Sequence, residues 1–233
     1  PVLHQSRRDH EEVLARLDTS VAVVQEQGFG RWLAGSLMVR GWALAQQGAV
    51  ETGLAQIQQG LTTWRTLGNE VALPHYLTML AETYGQGGET EAGLRVLTEA
   101  QAIVDKNLEH RFEAEIWRLK GALLLQHMQA QDSMSPTSLD AALVAEVTRA
   151  ETPEAMPLQA AAEHCLLQAI HIARQQQAKC LELRAIMRLA RLWQIQGKRA
   201  ESCQMLAESY GWFSEGFDTP DLRGAQALLR VLQ

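Results

Sequence analysis

Little of what organises a disulfide-bonded, strand-rich or membrane protein is present in this chain. Its three cysteines, Cys165, Cys180 and Cys203, are odd in number and include no closely spaced pair. That argues against a disulfide framework, a zinc knuckle or a redox dithiol, and it fits a reducing, cytoplasmic setting. Prolines number only 6 in 233 residues, and β-branched runs are few, so little in the chain breaks a helix or favours a strand. No apolar run reaches the ~18 residues of a membrane span. The opening stretch carries Arg7 and Arg8 with no apolar core behind them, unlike a secretion signal. A basic excess is also missing: 27 acids stand against 21 bases, a formal net charge of −6, the wrong sign for holding a phosphate backbone. The expectation is neither membrane nor nucleic acid as partner. The first residue is Pro1 and not Met, which suggests a piece of a longer protein.

What is abundant is Ala, Leu, Gln and Glu, residues that lose little entropy in a helix. In the stretch 33–47, Leu33, Leu37, Trp42 and Leu44 follow a 3.6-residue period with small residues between them, and Gly48 supplies a stop. A second helix begins at Val50, and so short a connection forces an antiparallel hairpin. The hairpin recurs. Gly41, Leu44, Gly48, Gly53, Ile57 and Gly60 are followed forty residues later by Ala81, Tyr84, Gly88, Gly93, Leu97 and Ala100. A third copy starts at Trp117, Gly121 and Leu124, but its second-helix triplet, Ala162, Leu166 and Ala169, is delayed by an insertion at about 129–157. The fourth, with Ala190, Trp193, Gly197, Ser202, Leu206 and Ser209, is displaced by the same amount.

Small residues at the Gly41, Gly53 and Gly60 positions let backbones approach within ~8 to 10 Å, and Leu44 and Ile57 fill the seam. Each hairpin leaves an apolar face for the next to cover. The expected fold is therefore all-α, a right-handed α-solenoid of hairpins with a period of about forty. As a single domain over 1–233, it is expected to comprise the second helix of a truncated repeat (9–27), repeats at 31–68, 72–107, 111–178 with the insertion, and 181–213, and a closing helix at 219–233. Thr219, Pro220 and Asp221 supply a capping hydroxyl, a first-turn proline and a dipole-compensating acid for that last helix.

Trp117, Gly121, Leu124, Ala162, Leu166 and Ala169 occupy the signature positions of tetratricopeptide (TPR) repeats, which the chain resembles. It departs from them in its longer period and in lacking most of the turn prolines. The runs 114–121, 181–185 and 197–201, and above all Tyr210-Gly211-Trp212-Phe213 through Gly216-Phe217-Asp218-Thr219, look like the C-terminal region of bacterial multidomain adenylate/guanylate cyclase–ATPase signalling proteins. That resemblance implies catalytic and nucleotide-binding parts upstream of Pro1, none of whose residues lie in this chain.

No motif here brings catalytic or cofactor chemistry. The glycine-rich 85–90 follows a helix and lacks the lysine of a phosphate loop. His164, Cys165 and His171 gain no third ligand on their helix face, and Ser36, Ser133, Ser135 and Ser209 lie in no nucleophile elbow. The expectation is no catalytic residue, no metal and no cofactor. A binding groove remains. In TPR-type repeats the first helix of each hairpin lines the concave wall, and the positions facing it are Met38, Trp42, His75, Glu82, Glu115, Arg118, Arg184, Met187 and Arg191. An aromatic and thioether end leads through acids to arginines, a gradient suited to a protein or peptide partner with an acidic or amphipathic segment, the upstream domains of the same chain included. The alternative is a small-ligand-sensing repeat domain of the kind the chain's longer period resembles in transcription-activator-type signalling ATPases, with Trp42 near Met38 as an apolar anchor. Two further expectations are self-association through the truncated end at 9–27, and a latch formed by the insertion's Leu139, Leu143 and Val147 docking into the groove.

Overall fold

The computed structural model describes residues 11, 13–15, 17, 30–70, 72–131, 141–148 and 157–233. Among them every regular element is helical: α1 (Gly30–Gln46), α2 (Val50–Thr66), α3 (Leu73–Gln86), α4 (Thr90–Asn107), a 3-10 turn (His110–Phe112), α5 (Glu113–Gln131), α6 (Ala141–Thr148), α7 (Leu158–Gln175), α8 (Lys179–Ile195), α9 (Arg199–Tyr210) and α10 (Pro220–Leu232). No helix among the described residues is long and apolar enough to cross a membrane. Most of the expected opening helix and most of the insertion lie outside the described residues. Of the opening stretch, Val13 and Leu17 are helical and buried.

The helices fall into two compact units, Pro1–Glu109 and His110–Gln233. In the first, α1 packs on α2 and α3 on α4, with α3 also touching α1 and α2. In the second, α5 packs on α7 and α8 on α9, while α8 bridges to α7 and α10 closes against α8 and α9.

Three hairpin turns close with the same pair of backbone bonds. The amides of Ala49, Glu89 and Lys198 reach back to the carbonyls of Leu44, Tyr84 and Trp193 at 3.1, 2.9 and 2.8 Å. Those of Gly48, Gly88 and Gly197 reach Ala45, Gly85 and Gln194 at 2.9, 3.0 and 3.2 Å. This double closure needs a left-handed residue, and the three glycines supply φ of +94°, +80° and +81° at no steric cost.

The seam between α1 and α2 depends on missing side chains. A Cβ on Gly41 would lie 2.6 Å from the Gly53 oxygen, and one on Gly53 would lie 2.5 Å from the Gly41 oxygen. At the α5–α7 seam the same role falls to Gly121, where a Cβ would meet Leu166 at 2.7 Å. Ala81 and Ala190, at the matching positions of α3 and α8, are also buried.

The start of α10 differs in detail from the sequence expectation. Thr219 is extended before Pro220, as a capping residue should be, but its hydroxyl donates to the Gly216 carbonyl at 2.7 Å and not to the helix. Asp221, expected to offset the helix dipole, also accepts a bond from Arg184 Nε at 2.7 Å, tying α10 to α8. The insertion helix α6 buries Leu143, Val144 and Val147 and packs against α7, the second helix of its own hairpin.

Candidate functional site

Within the second unit, α5 and α8 run side by side and leave a groove of about 370 Å³. From α5 it is lined by Ala122, Leu125, Gln126 and Gln129, and from α8 by Arg188, Arg191, Leu192 and Ile195. Its origin is a single repeat position. The residues one step after Gly41, Ala81, Gly121 and Ala190 are Trp42, Glu82, Ala122 and Arg191. In the first unit, Trp42 turns its indole Nε1 onto Glu82 Oε2 at 2.8 Å, so the large ring fills this position and is bonded to its neighbour. In the second unit the equivalents are a methyl group and an arginine, and the space between the helices stays open.

Arg191 gives the groove its chemistry. Among the described residues it has no ion-pair partner; the residue as a whole is exposed, and partial burial of its guanidinium against the groove holds it below the usual value. It nevertheless remains a cation at any physiological pH. Beside it stand Leu125, Leu192 and the largely exposed Ile195. A partly desolvated cation over an apolar floor can take a carboxylate whose neighbouring groups are apolar.

Of the nine residues proposed from sequence, Arg191 reaches this groove. Met38 has none of its surface accessible and fills the space left by Gly60, where a Cβ would lie 2.5 Å from its Cγ. Trp42 is 2% accessible. These two are therefore core residues and not an apolar anchor on a wall, because the short glycine seam draws them inward. Glu82 accepts the Trp42 bond, and His75 is half-buried with its ring 5.6 Å from that of Tyr76. Arg118, 2% accessible, is gripped by Glu115 through two bonds of 2.7 Å; such a pair is satisfied internally. Arg184 is held by Asp221, and Met187 packs over Gly224, where a Cβ would come within 3.0 Å of its Cε. Both therefore help seat α10.

Sequence reasoning missed Ala122, Leu125, Gln126, Gln129, Arg188, Leu192 and Ile195. The signal was available: Leu125, Gln126 and Ile195 lie one helical turn beyond the position of Ala122 and Arg191, on the same face.

Two polar clusters stiffen the walls. Glu163 on α7 receives Trp193 Nε1 at 2.7 Å, Gln196 Nε2 at 3.0 Å and Lys198 Nζ at 3.3 Å from the end of α8 and the turn after it. Burial raises its pKa, but the bonds from Gln196, Trp193 and Lys198 outweigh it and the net shift is downward. Glu182 behaves alike: burial pushes it up, and Arg174 and Lys179, at 2.8 Å each, pull it further down. Deeper in, Lys120 is buried with its Nζ 4.5 Å from the centre of the Trp117 ring, and Cys165 is buried with its thiol pushed up to about 12 by burial. Among the described residues no group of three or more His, Cys, Asp or Glu could hold a metal ion.

No family model matches the chain. A curated protein from Rhizobium meliloti (strain 1021), described as uncharacterized protein R02095, is 29% identical over 140 residues, covering 60% of this chain. The chain spans 14% of the length of that relative. Among solved structures, a Podosopora anserina putative kinesin light chain built of nearly identical TPR-like repeats superposes with a TM-score of 0.53 at 18% identity, over 87% of this chain and 86% of that one. The TPR2AB domain of yeast Sti1 in complex with pHSP90 matches with a TM-score of 0.33 at 13% identity, over 98% and 97%. The fold is thus that of TPR-like repeat proteins.

Proposed function

We propose that the chain is a non-catalytic TPR-like interaction module whose α5–α8 groove holds a peptide segment carrying a carboxylate beside apolar side chains. The observation that carries this is Arg191, a cation with no ion-pair partner among the described residues, over Leu125, Leu192 and Ile195. TPR-like architecture supports a role in protein–protein contact, and an α-helical hairpin stack offers rigid walls for it. The resemblance of the runs around Trp117 and of 210–219 to cyclase–ATPase signalling proteins supports a place for this module at the C-terminal end of a cytoplasmic bacterial signalling protein. There, occupancy of the groove would bias the resting or active form of upstream domains.

Fluorescence anisotropy with a labelled Leu/Glu amphipathic peptide tests the groove. Arg191→Ala should weaken binding about tenfold, the loss of ~1.4 kcal/mol, with the melting temperature unchanged. Equal affinity for wild type and variant would overturn the reading. A second reading is favoured by the groove's volume, which falls in the range of small-molecule sites: a small organic anion as effector. In a thermal-shift screen such an anion would raise the melting temperature in proportion to the logarithm of its concentration, and the peptide would then compete with it.

A further inference from the structure

The loop between α9 and α10 presents aromatic rings that the fold does not cover. Trp212 is 61% and Phe217 46% accessible, although burial of such side chains is worth more than that of most others. The loop is nevertheless held in place by its own backbone. Phe213 N donates to the Tyr210 carbonyl at 3.2 Å, and Thr219 donates to the Gly216 carbonyl through both N, at 2.9 Å, and Oγ1, at 2.7 Å. Gly216, at φ +76°, makes the reversal. The rings pair within the segment, Trp212 with Phe213 at 5.2 Å and Tyr210 with Phe217 at 5.9 Å between centroids. Aromatic groups fixed at the surface by a rigid turn bind with little loss of conformational entropy.

Charge says what they bind. From Arg199 to Arg223 the chain carries Glu201, Glu208, Glu215, Asp218 and Asp221 and no Lys or Arg between. Glu208, Glu215 and Asp218 are exposed in or beside this segment, and among the described residues Glu215 has no ion-pair partner. The Trp212 ring already takes a cation, since Lys179 Nζ lies 5.8 Å from its centroid. An exposed aromatic segment rich in acids and tolerant of ammonium on its faces repels nucleic acid and anionic lipid, and attracts a basic, amphipathic protein segment.

We propose that the 210–219 loop is a docking site for a basic amphipathic helix of a partner protein, with Trp212 and Phe217 taking its apolar side chains and Glu215 its cations. This site is separate from the α5–α8 groove and independent of the reading given for it.

The test uses the whole 233-residue chain and a labelled peptide of about 18 residues, Leu on one helical face and Lys on the other, at ~150 mM salt to suppress diffuse attraction. The wild-type chain should bind it, and Trp212→Ala/Phe217→Ala should weaken binding at least about tenfold. Glu215→Lys, a change at an exposed position, should weaken it several-fold, and Arg191→Ala should leave it unchanged. Circular dichroism melts check that the variants fold. No binding by wild type, equal binding by Glu215→Lys, or a loss in Arg191→Ala would each overturn the proposal; the last would place the peptide in the groove instead. Because the Leu/Glu peptide depends on Arg191 and the Leu/Lys peptide on Trp212 and Phe217, failure of one assignment leaves the other standing.

Discussion

Cys165 shows how far one side chain's chemistry is set by what surrounds it. Burial raises its thiol to about 12, with the nearby Lys120 charge pulling slightly the other way. It should therefore stay inert to a thiol reagent at pH 8 while exposed Cys180 reacts at once. Counting thiols released in native buffer and then in denaturant should show Cys165 only in the second step; fast native reaction would contradict its burial. At this scale the sequence marked Cys165 as a packed residue through its place beside Leu166. It did not reveal that Arg118 is consumed by Glu115 or Arg184 by Asp221. Periodicity tells which face a residue occupies, but the partner of Arg184 arrives from α10, 37 residues further on, and no local pattern encodes that meeting.

Among the elements, the hairpin seams were the most legible feature, because a small residue where two backbones touch leaves a mark in the sequence. Gly41, Gly53 and Gly121 are read from their spacing and sit where a Cβ would collide. Gly→Ala inside a helix ordinarily stabilises by about 0.5 to 1 kcal/mol. At Gly53 the sign should reverse, since the new methyl would fall 2.5 Å from the Gly41 oxygen and 2.9 Å from the Ala45 Cβ. Backbones must part to admit it, and chemical denaturation should record a loss of about 1 to 3 kcal/mol; a gain would mean that the α1–α2 contact is looser than described. Less legible was the fate of Trp42. Its position pointed to a concave wall, but a ring so close to a glycine seam turns toward Glu82 and gains a hydrogen bond. The groove opened where that ring is replaced by Ala122, a difference between repeats that a search for sameness overlooks.

For the molecule as a whole, the carboxylates that join helices set the response to acid. Glu163 and Glu182 have folded pKa values below the ordinary 4.5, and so does Glu70 on the surface, held first by its bond from Lys106. Groups depressed in the folded state contribute stability above their unfolded value and lose it as pH falls through the folded one. Melting temperature should thus hold from neutrality to about pH 5 and drop steadily below about 4.5. Glu163→Gln should flatten part of that drop, because Lys198 then loses its anionic partner at every pH. Thermal melts across the acid range measure both, and an unchanged slope in the variant would remove Glu163 from the account. What the sequence could not provide at this scale was the division into two units, since a constant stride runs through the boundary without a break.

The third hairpin joins its helices differently from its fellows: α5 ends at Gln131 and α7 begins at Leu158, yet they pack together with Gly121 against Leu166. The two helices thus pair across a long separation in the chain, and in general each doubling of a connection adds only ~0.6 kcal/mol of closure cost. The third hairpin can therefore carry an extra element between its two rods, and α6, which lays Leu143, Val144 and Val147 against α7, is such a graft already in place.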